Sequence, residues 1–182
     1  AGLGYAGEQV FASGGFTLED GRYGVPFSGA LHRQSAKVQV DSDRIFVDLD
    51  TQRRVGRFDV GMRQLNNRIL DSFKVVFSII DWHHDEVEIN QGIEKLGTAF
   101  DNRTYVVRAD LNQRQTEQLS GKFGVWSQFR NFRAVGEEVL TPQTDQRAFA
   151  AFAYEELALG RYRLQLGGRL ERNDYTVAER AN

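Results

Sequence analysis

Apolar and charged side chains alternate along residues 161–171 of the chain. The even positions include Tyr162, Leu164, Leu166 and Leu170, whereas the odd positions carry Arg, Gln, Gly and Glu. Successive side chains of a β-strand point to opposite faces, so this stretch predicts a strand with one apolar and one charged face. A soluble strand with its core on one side can show the same alternation.

The same alternation recurs along the chain, which we divide into about seven long strands, with a loop at residues 18–33. After residue 62 the connections are predicted to alternate, short at 64–71, 114–117 and 159–160 and longer at 89–96 and 134–145. Alternating segments of roughly ten residues joined in this way are typical of a transmembrane β-barrel. The predicted fold class is therefore all-β, an antiparallel up-and-down meander of about seven long strands that forms part of a transmembrane β-barrel.

In this interpretation the apolar phase of each strand contacts lipid and the polar phase lines the lumen. Lumen positions include Arg108, Arg130, Arg163 and Arg169. We expect Trp82 and Trp126 to lie in an aromatic girdle near the outer membrane interface. The predicted lipid-facing residues are Phe73, Val75, Phe77, Tyr105, Val107, Leu111, Phe123, Val125, Tyr162, Leu164, Leu166 and Leu170.

Composition narrows the class of protein. At 182 residues the chain is long enough for one domain or two. The hydrophobic fraction of 41% and the mean hydropathy of -0.48 resemble those of soluble proteins, but a barrel strand is only half apolar. A net charge of -2 gives no electrostatic reason to expect nucleic-acid binding. The absence of Cys excludes disulfides, thiolate chemistry and Cys-based zinc sites.

Motifs of catalysis are missing from the sequence. It contains no Gly-x-Ser-x-Gly, no phosphate-binding glycine loop and no His-Glu-x-x-His. With three His and no Cys, few residues are left for a nucleophilic triad. We therefore predict that the protein is not an enzyme and needs no cofactor.

The densest group of potential metal ligands lies at residues 81–88, where His83, His84, Asp85 and Glu86 are weak candidates for a metal site. In a strand His83 and His84 point to opposite faces, so both can bind one ion only if the chain bends there. The alternative is a solvated strand end above the lipid. Glu137-Glu138 is likewise interpreted as loop polarity rather than a site.

Several motifs in a fixed order resemble the barrel of TonB-dependent outer-membrane receptors, most closely the branch associated with uptake of zinc and other metals. The resemblance begins near residue 20 and covers most of the chain. The motifs are Tyr23-Gly24-Val25-Pro26, Phe46-Val47-Asp48-Leu49, Gln52-Arg53-Arg54 and the stretches 81–88, 97–103, 134–138, 145–156 and 162–172.

This resemblance implies a bacterial outer-membrane receptor of roughly 22 strands with a plugged lumen. Its ligand, a metal ion or metal chelate, would bind at the outer face, and the TonB system would drive uptake through a plug domain. We expect the chain to be a partial barrel, residues 1–182, without the plug and the remaining strands. The loop that is often His-rich in this branch holds only His32. The alternatives are a soluble β-sandwich or lipocalin-like binding module, and a non-energised porin or adhesin barrel.

Overall fold

The structure is a computed structural model that describes residues 1–25, 46–136 and 141–178. Long alternating segments form strands throughout these ranges. The strands are β1 (Gly2–Ala6), β2 (Val10–Gly24), β3 (Phe46–Met62), β4 (Leu70–Asn90), β5 (Ile93–Gln113), β6 (Leu119–Gly136), β7 (Thr144–Leu159) and β8 (Tyr162–Val177). The predictions for His32, for Glu137-Glu138 and for Pro26 of the Tyr-Gly-Val-Pro motif concern positions outside the described residues.

The eight strands form one antiparallel sheet in which each strand pairs with its neighbours in the sequence, in the order β1-β2-β3-β4-β5-β6-β7-β8. The predicted fold class, an all-β up-and-down meander, is confirmed. We call the end of the sheet with the β4–β5 turn the distal end, and the end with the β3–β4 connection the proximal end.

The N-terminal region differs from the prediction. A loop was expected from residue 18, but β1 and β2 form a hairpin and β2 continues to Gly24. The extension pairs with β3 along its whole length, up to Gly24 opposite Asp48, and the Arg22–Asp48 pair at 2.9 Å and the Arg53–Glu19 pair at 3.1 Å add contacts between the two strands. The sheet therefore has eight strands rather than about seven.

The predicted alternation of short and long connections is also wrong. Instead of a loop at 89–96, β4 ends at Asn90 and β5 begins at Ile93, so the two strands are joined by Gln91 and Gly92 alone. Both linking residues have positive φ, 51° and 80°, as a tight type I′ hairpin turn requires. The strands extend at the distal end where a loop was expected. The hairpin predicted at Leu159-Gly160 is present, with Gly160 at φ 61°.

The sheet is a single layer without a hydrophobic core. In the described ranges no large side chain is fully buried, and the buried apolar residues are Val76, Ala148 and Ala150. These ranges also contain no helix that is long and apolar enough to cross a membrane. The apolar side chains of the strands are instead spread over an exposed face of the sheet.

Candidate functional site

One face of the sheet collects all the residues predicted to contact lipid. Directly paired residues of neighbouring strands share a face, and a row of such pairs joins Phe58, Phe77, Val107 and Phe149. We call the face that carries this row the apolar face and the opposite one the polar face. By the same register, the apolar face carries Phe73, Val75, Phe77, Tyr105, Val107, Leu111, Phe123, Val125, Tyr162, Leu164, Leu166 and Leu170.

Eight of these side chains are exposed, and Phe73, Val75, Leu111 and Phe123 are half-buried. Phe77 is 37% exposed, Val107 44%, Leu164 47% and Leu170 82%. They form a continuous apolar band that crosses the sheet from β2 to β8. Glu155 interrupts the band on β7 near its proximal end, where its carboxylate lies over Gly121 of β6.

Distal to the apolar band, the same face becomes charged. One row of paired residues marks the change on the central strands, and we use it as the reference row. It runs through Leu18, Arg54, Asp81, Arg103, Asn131, Asp145 and Thr176. On β3 to β6 the first charged or amide side chain beyond the band lies in this row.

The boundary of the apolar band is oblique to the rows of paired residues. On β2 it lies at Asp20, two residues distal to the reference row, and on β8 it lies at Arg172, four residues proximal to that row. It thus moves six residues over six strand spacings, or about 20 Å along the strands for about 29 Å across them. Averaged from β2 to β8, these distances correspond to strands tilted by about 35° relative to the normal of the band, although the boundary stays in one row on β3 to β6 and shifts only on β2, β7 and β8.

The polar face holds its charges in pairs. Asp110 is only 7% exposed, and it accepts hydrogen bonds from Arg108 and lies 3.2 Å from the Lys122 ammonium. Asp59 lies 3.4 Å from the Lys74 ammonium. Charges that are partly removed from water need such partners, so this face resembles a confined polar interior.

The four arginines assigned to the lumen, Arg108, Arg130, Arg163 and Arg169, all lie on the polar face. Arg130 donates to Asn102 at 2.8 Å, and its guanidinium carbon lies 5.4 Å from the centre of the Phe132 ring. Arg169 pairs with Glu171, and Arg163 pairs with Glu156. Each is therefore engaged by neighbours within the sheet.

The two tryptophans lie on the face opposite the one expected. Trp82 is directly paired with Arg53 and Asn102, and Trp126 is directly paired with Arg108 and Ala150. Both belong to the polar face, so the prediction of a lipid-side aromatic girdle at these residues is wrong. Their spacing from the apolar positions of β4 and β6 is odd, which already carried this information.

Trp82 begins a row of aromatic rings that sequence reasoning missed. The Trp82 and His84 ring centres are 4.5 Å apart, and His84 stacks on Phe100 at 4.5 Å. Phe132 continues the row at 6.2 Å from Phe100. The His84 Nδ1 atom is buried without a hydrogen-bond partner, and burial lowers the His84 pKa. Pairing between strands brings most of these rings together, so no local sequence motif predicts the row.

The four candidate metal ligands are divided between the two faces. His83 and Asp85 lie on the apolar face distal to the band, whereas His84 and Glu86 lie on the polar face. In the described ranges no three His, Asp or Glu side chains are arranged to hold a metal ion. The strand does not bend to bring His83 and His84 together.

His83 has a partner that the sequence did not indicate. Its Nδ1 lies 2.7 Å from Asp101 Oδ1 on β5, and its Nε2 lies 3.1 Å from Asp85 Oδ1. The hydrogen bond to Asp101 and the charge of Asp85 raise the His83 pKa, because the protonated ring is favoured between two carboxylates. Protonated imidazole does not bind metal, so this arrangement favours an ion pair over a metal site.

Comparison with known proteins identifies no relative. No protein-family model matches the chain, and no curated protein matches it. The resemblance to TonB-dependent receptors therefore stays a prediction. The structure shows an antiparallel β-meander, which is not specific to that family.

Proposed function

We propose that the chain is part of the barrel of a TonB-dependent receptor in the bacterial outer membrane, and that it serves the energised uptake of a metal ion or metal chelate. The observation that carries the membrane part of this proposal is the apolar band, which is exposed on every strand from β2 to β8. The TonB and metal parts rest on the resemblance in the sequence.

The dimensions of the band support contact with hydrocarbon. On β8 it runs from Tyr162 to Leu170, about 27 Å along the strand or about 22 Å after correction for a tilt of about 35°. The lipid-facing band of outer-membrane barrels is about 25 Å tall, with strands tilted by about 35–45°. The band on β8 matches this height, and on β4 it is shorter, about 20 Å along the strand from Phe73 to Ile79.

The edges of the sheet support a partial barrel. In the described residues β1 pairs only with β2, and β8 pairs only with β7. Hydrocarbon offers no hydrogen-bond partner to a free strand edge, so a membrane-inserted form must pair both edges. In the proposed receptor further strands pair with them, and a plug domain that fills the lumen connects the barrel to the TonB system.

A soluble sandwich would need a second layer over the apolar face. The described ranges supply none, and Leu164, Phe77 and Val107 are exposed on an open surface instead of packed in a dry core. An exposed apolar surface of this extent marks a site of association with lipid or protein.

Single-cysteine labelling tests the membrane assignment, because the chain has no native Cys. We place Cys at Val107 or Leu166 on the apolar face and at their sequence neighbours Arg108 or Gln165 on the polar face. Each variant is folded into lipid vesicles and labelled with a fluorescent maleimide, and a lipid-soluble quencher is added. We expect strong quenching at Val107→Cys and Leu166→Cys and weak quenching at Arg108→Cys and Gln165→Cys.

Equal quenching within both pairs would contradict lipid contact. A chain that stays monodisperse in buffer without detergent would favour the soluble alternative, since a bare lipid-contacting face should aggregate in water.

Energised uptake needs a separate test. In bacteria that express the protein, accumulation of the metal should stop when TonB is deleted and persist when TonB is present. Accumulation that does not depend on TonB would favour a porin, and no accumulation with the protein at the cell surface would favour an adhesin. Both share the barrel geometry, so the labelling result would stand in either case.

A further inference from the structure

Arginine takes the first charged position beyond the apolar band on two neighbouring strands, β7 and β8. Arg147 is directly paired with Phe129, and Arg172 is directly paired with Phe149. Phe149 is 53% exposed, so the two guanidinium groups stand beside the uppermost apolar side chains of the band. The two arginines are diagonal neighbours on one face, within reach of a common ligand.

The guanidinium groups of this pair are available to a ligand. The Arg147 guanidinium carbon lies 5.0 Å from the centre of the Phe129 ring, and among the described residues Arg147 has no carboxylate partner. Arg172 pairs with Asp174 at 2.9 Å, with side chains 79% and 51% exposed. Asp174 accepts hydrogen bonds from the Nε and Nη2 atoms of Arg172, and no described residue accepts one from Nη1, so that end of the guanidinium remains for a phosphate. The nearby Asp145 is held by Asn131, whose amide donates to it at 2.6 Å.

The place of these arginines relative to the apolar band indicates their ligand. Immediately outside the hydrocarbon of a bilayer lie the phosphate groups of the lipids. A guanidinium binds phosphate through two parallel N–H···O bonds, while its aliphatic stem lies along apolar surface. We propose that Arg147 and Arg172 form a binding site for the phosphate of membrane-lipid headgroups. This inference rests on the proposed membrane location of the chain.

The polar face supplies a matched control pair. Arg130 lies over the Phe132 ring, and Arg169 lies 5.3 Å from the centre of the Trp126 ring. Arg169 also pairs with Glu171, as Arg172 pairs with Asp174 on the other face of the same strand. The control therefore removes two arginines from the opposite face, and these two are not neighbours, because β7 and six residues of register separate Arg130 from Arg169.

The experiment compares three proteins: the parent chain, the double variant Arg147→Gln/Arg172→Gln and the control Arg130→Gln/Arg169→Gln. Each is partitioned by flotation into vesicles of phosphatidylcholine alone and into vesicles that also contain lipid A, whose phosphates are negatively charged. An arginine near an anionic surface favours binding about fivefold, so the first variant should lose roughly 25-fold of the preference for lipid A vesicles. The control should keep that preference.

The two proposals fail in different ways. If the parent enters neither kind of vesicle, the membrane assignment fails and this inference falls with it. If the parent enters both but the two double variants lose the preference equally, only net charge matters and the assigned site is wrong. An unchanged preference in Arg147→Gln/Arg172→Gln also overturns it. Loss of the preference when inorganic phosphate is added at millimolar concentration would assign the site to free phosphate instead of lipid.

Discussion

The two faces of the sheet follow opposite rules although they share the same strands. On the polar face Asp110 and Ala150 are 7% and 6% exposed, and charged side chains are paired. On the apolar face of the inner strands Val107 is 44% exposed and Val125 is 56% exposed. The polar face is packed like an interior, whereas the apolar face is bare like a surface. A soluble protein arranges its two faces the other way round.

On the polar face, long side chains cross over small ones and bury them, although the sheet is a single layer. The Arg169 guanidinium reaches from β8 over β7 to the Trp126 ring on β6. Ala150 lies between these strands, directly paired with Trp126. Arg108 likewise reaches from β5 to the Phe152 ring on β7, at 4.8 Å. The apolar side chains on the other face are exposed and are not crossed by long side chains, so a larger residue there displaces no such contact.

The largest effect should come from a charge placed on the apolar face. Leu166→Arg puts a guanidinium in the proposed lipid contact, which costs about 2–4 kcal/mol near the bilayer midplane, and Leu164→Arg should act alike. Gln165→Arg adds the same side chain to the polar face and should be tolerated. The measurement is the denaturant dependence of unfolding from lipid vesicles. Equal stability of Leu166→Arg and the parent would remove the membrane assignment.

The second-largest difference between the faces should come from enlarging a small side chain. Ala150→Leu on the polar face must displace the Arg169–Trp126 contact, and overpacking of this kind costs about 1–3 kcal/mol. Ala151→Leu enlarges the adjacent residue on the apolar face, where Ala151 is exposed, and should change the free energy of unfolding by less than about 0.5 kcal/mol. Both are compared with the parent by the same unfolding assay. If Ala151→Leu were the more damaging of the two, the assignment of the packed face would be reversed.

Removal of a paired carboxylate should have a smaller effect. Asp110→Asn leaves Arg108 and Lys122 without their shared anion, and hydrogen bonds to charged groups are worth about 1.5–3 kcal/mol when buried. Since both cations are more than a third exposed, we expect about 1–2 kcal/mol, measured by denaturant unfolding. Asp145→Asn is the control on the apolar face, beyond the band, and should be nearly neutral. A neutral Asp110→Asn would show that the polar face is fully solvated.

The smallest expected effect is on pH dependence, where adjacent histidines should act in opposite directions. The His83 pKa is raised by Asp101, so its contribution to stability is complete below the unfolded value of about 6.5 and is lost as pH rises through the folded pKa. The His84 pKa is lowered by burial, so its contribution is complete above about 6.5 and is lost as pH falls toward the folded pKa.

Unfolding measured from pH 5 to 8 in His83→Gln and His84→Gln tests these signs. His83→Gln should remove the part of the profile that favours low pH, and His84→Gln should remove the part that favours high pH. The same change of slope in both variants would contradict the division of the two rings between environments.

Some of this arrangement was accessible from the sequence. The alternation in 161–171 and in β4 to β6 assigned every predicted lipid-facing residue to one face, because a strand has a strict period of two. The same rule puts Trp82 and Trp126 on the polar face, and the expectation of a lipid-side girdle at these residues disagreed with it. The hairpin of β1 and β2 was not predicted, because its many glycines have no side chains that could show the alternation of apolar and polar residues.

Side-chain partners on other strands could not be predicted from the sequence. His83 meets Asp101 across β4 and β5, and Trp126 meets Arg169 across β7, over distances in sequence of 18 and 43 residues. The turn at Gln91-Gly92 and the β-bulge at Gly97, where the register shifts between Glu86 and Val87, together set the first pairing, and a one-residue difference in either would exchange the faces of β5.

The order of apolar and polar side chains by itself determined that the chain forms strands with two unlike faces, because the backbone geometry of a strand leaves no other placement. The register between strands was decided only by the tertiary structure. It made the band continuous, set its oblique boundary and brought Arg147 beside Arg172. Register depends on hydrogen bonds between segments far apart in the chain, and no local pattern encodes the sum of those pairings.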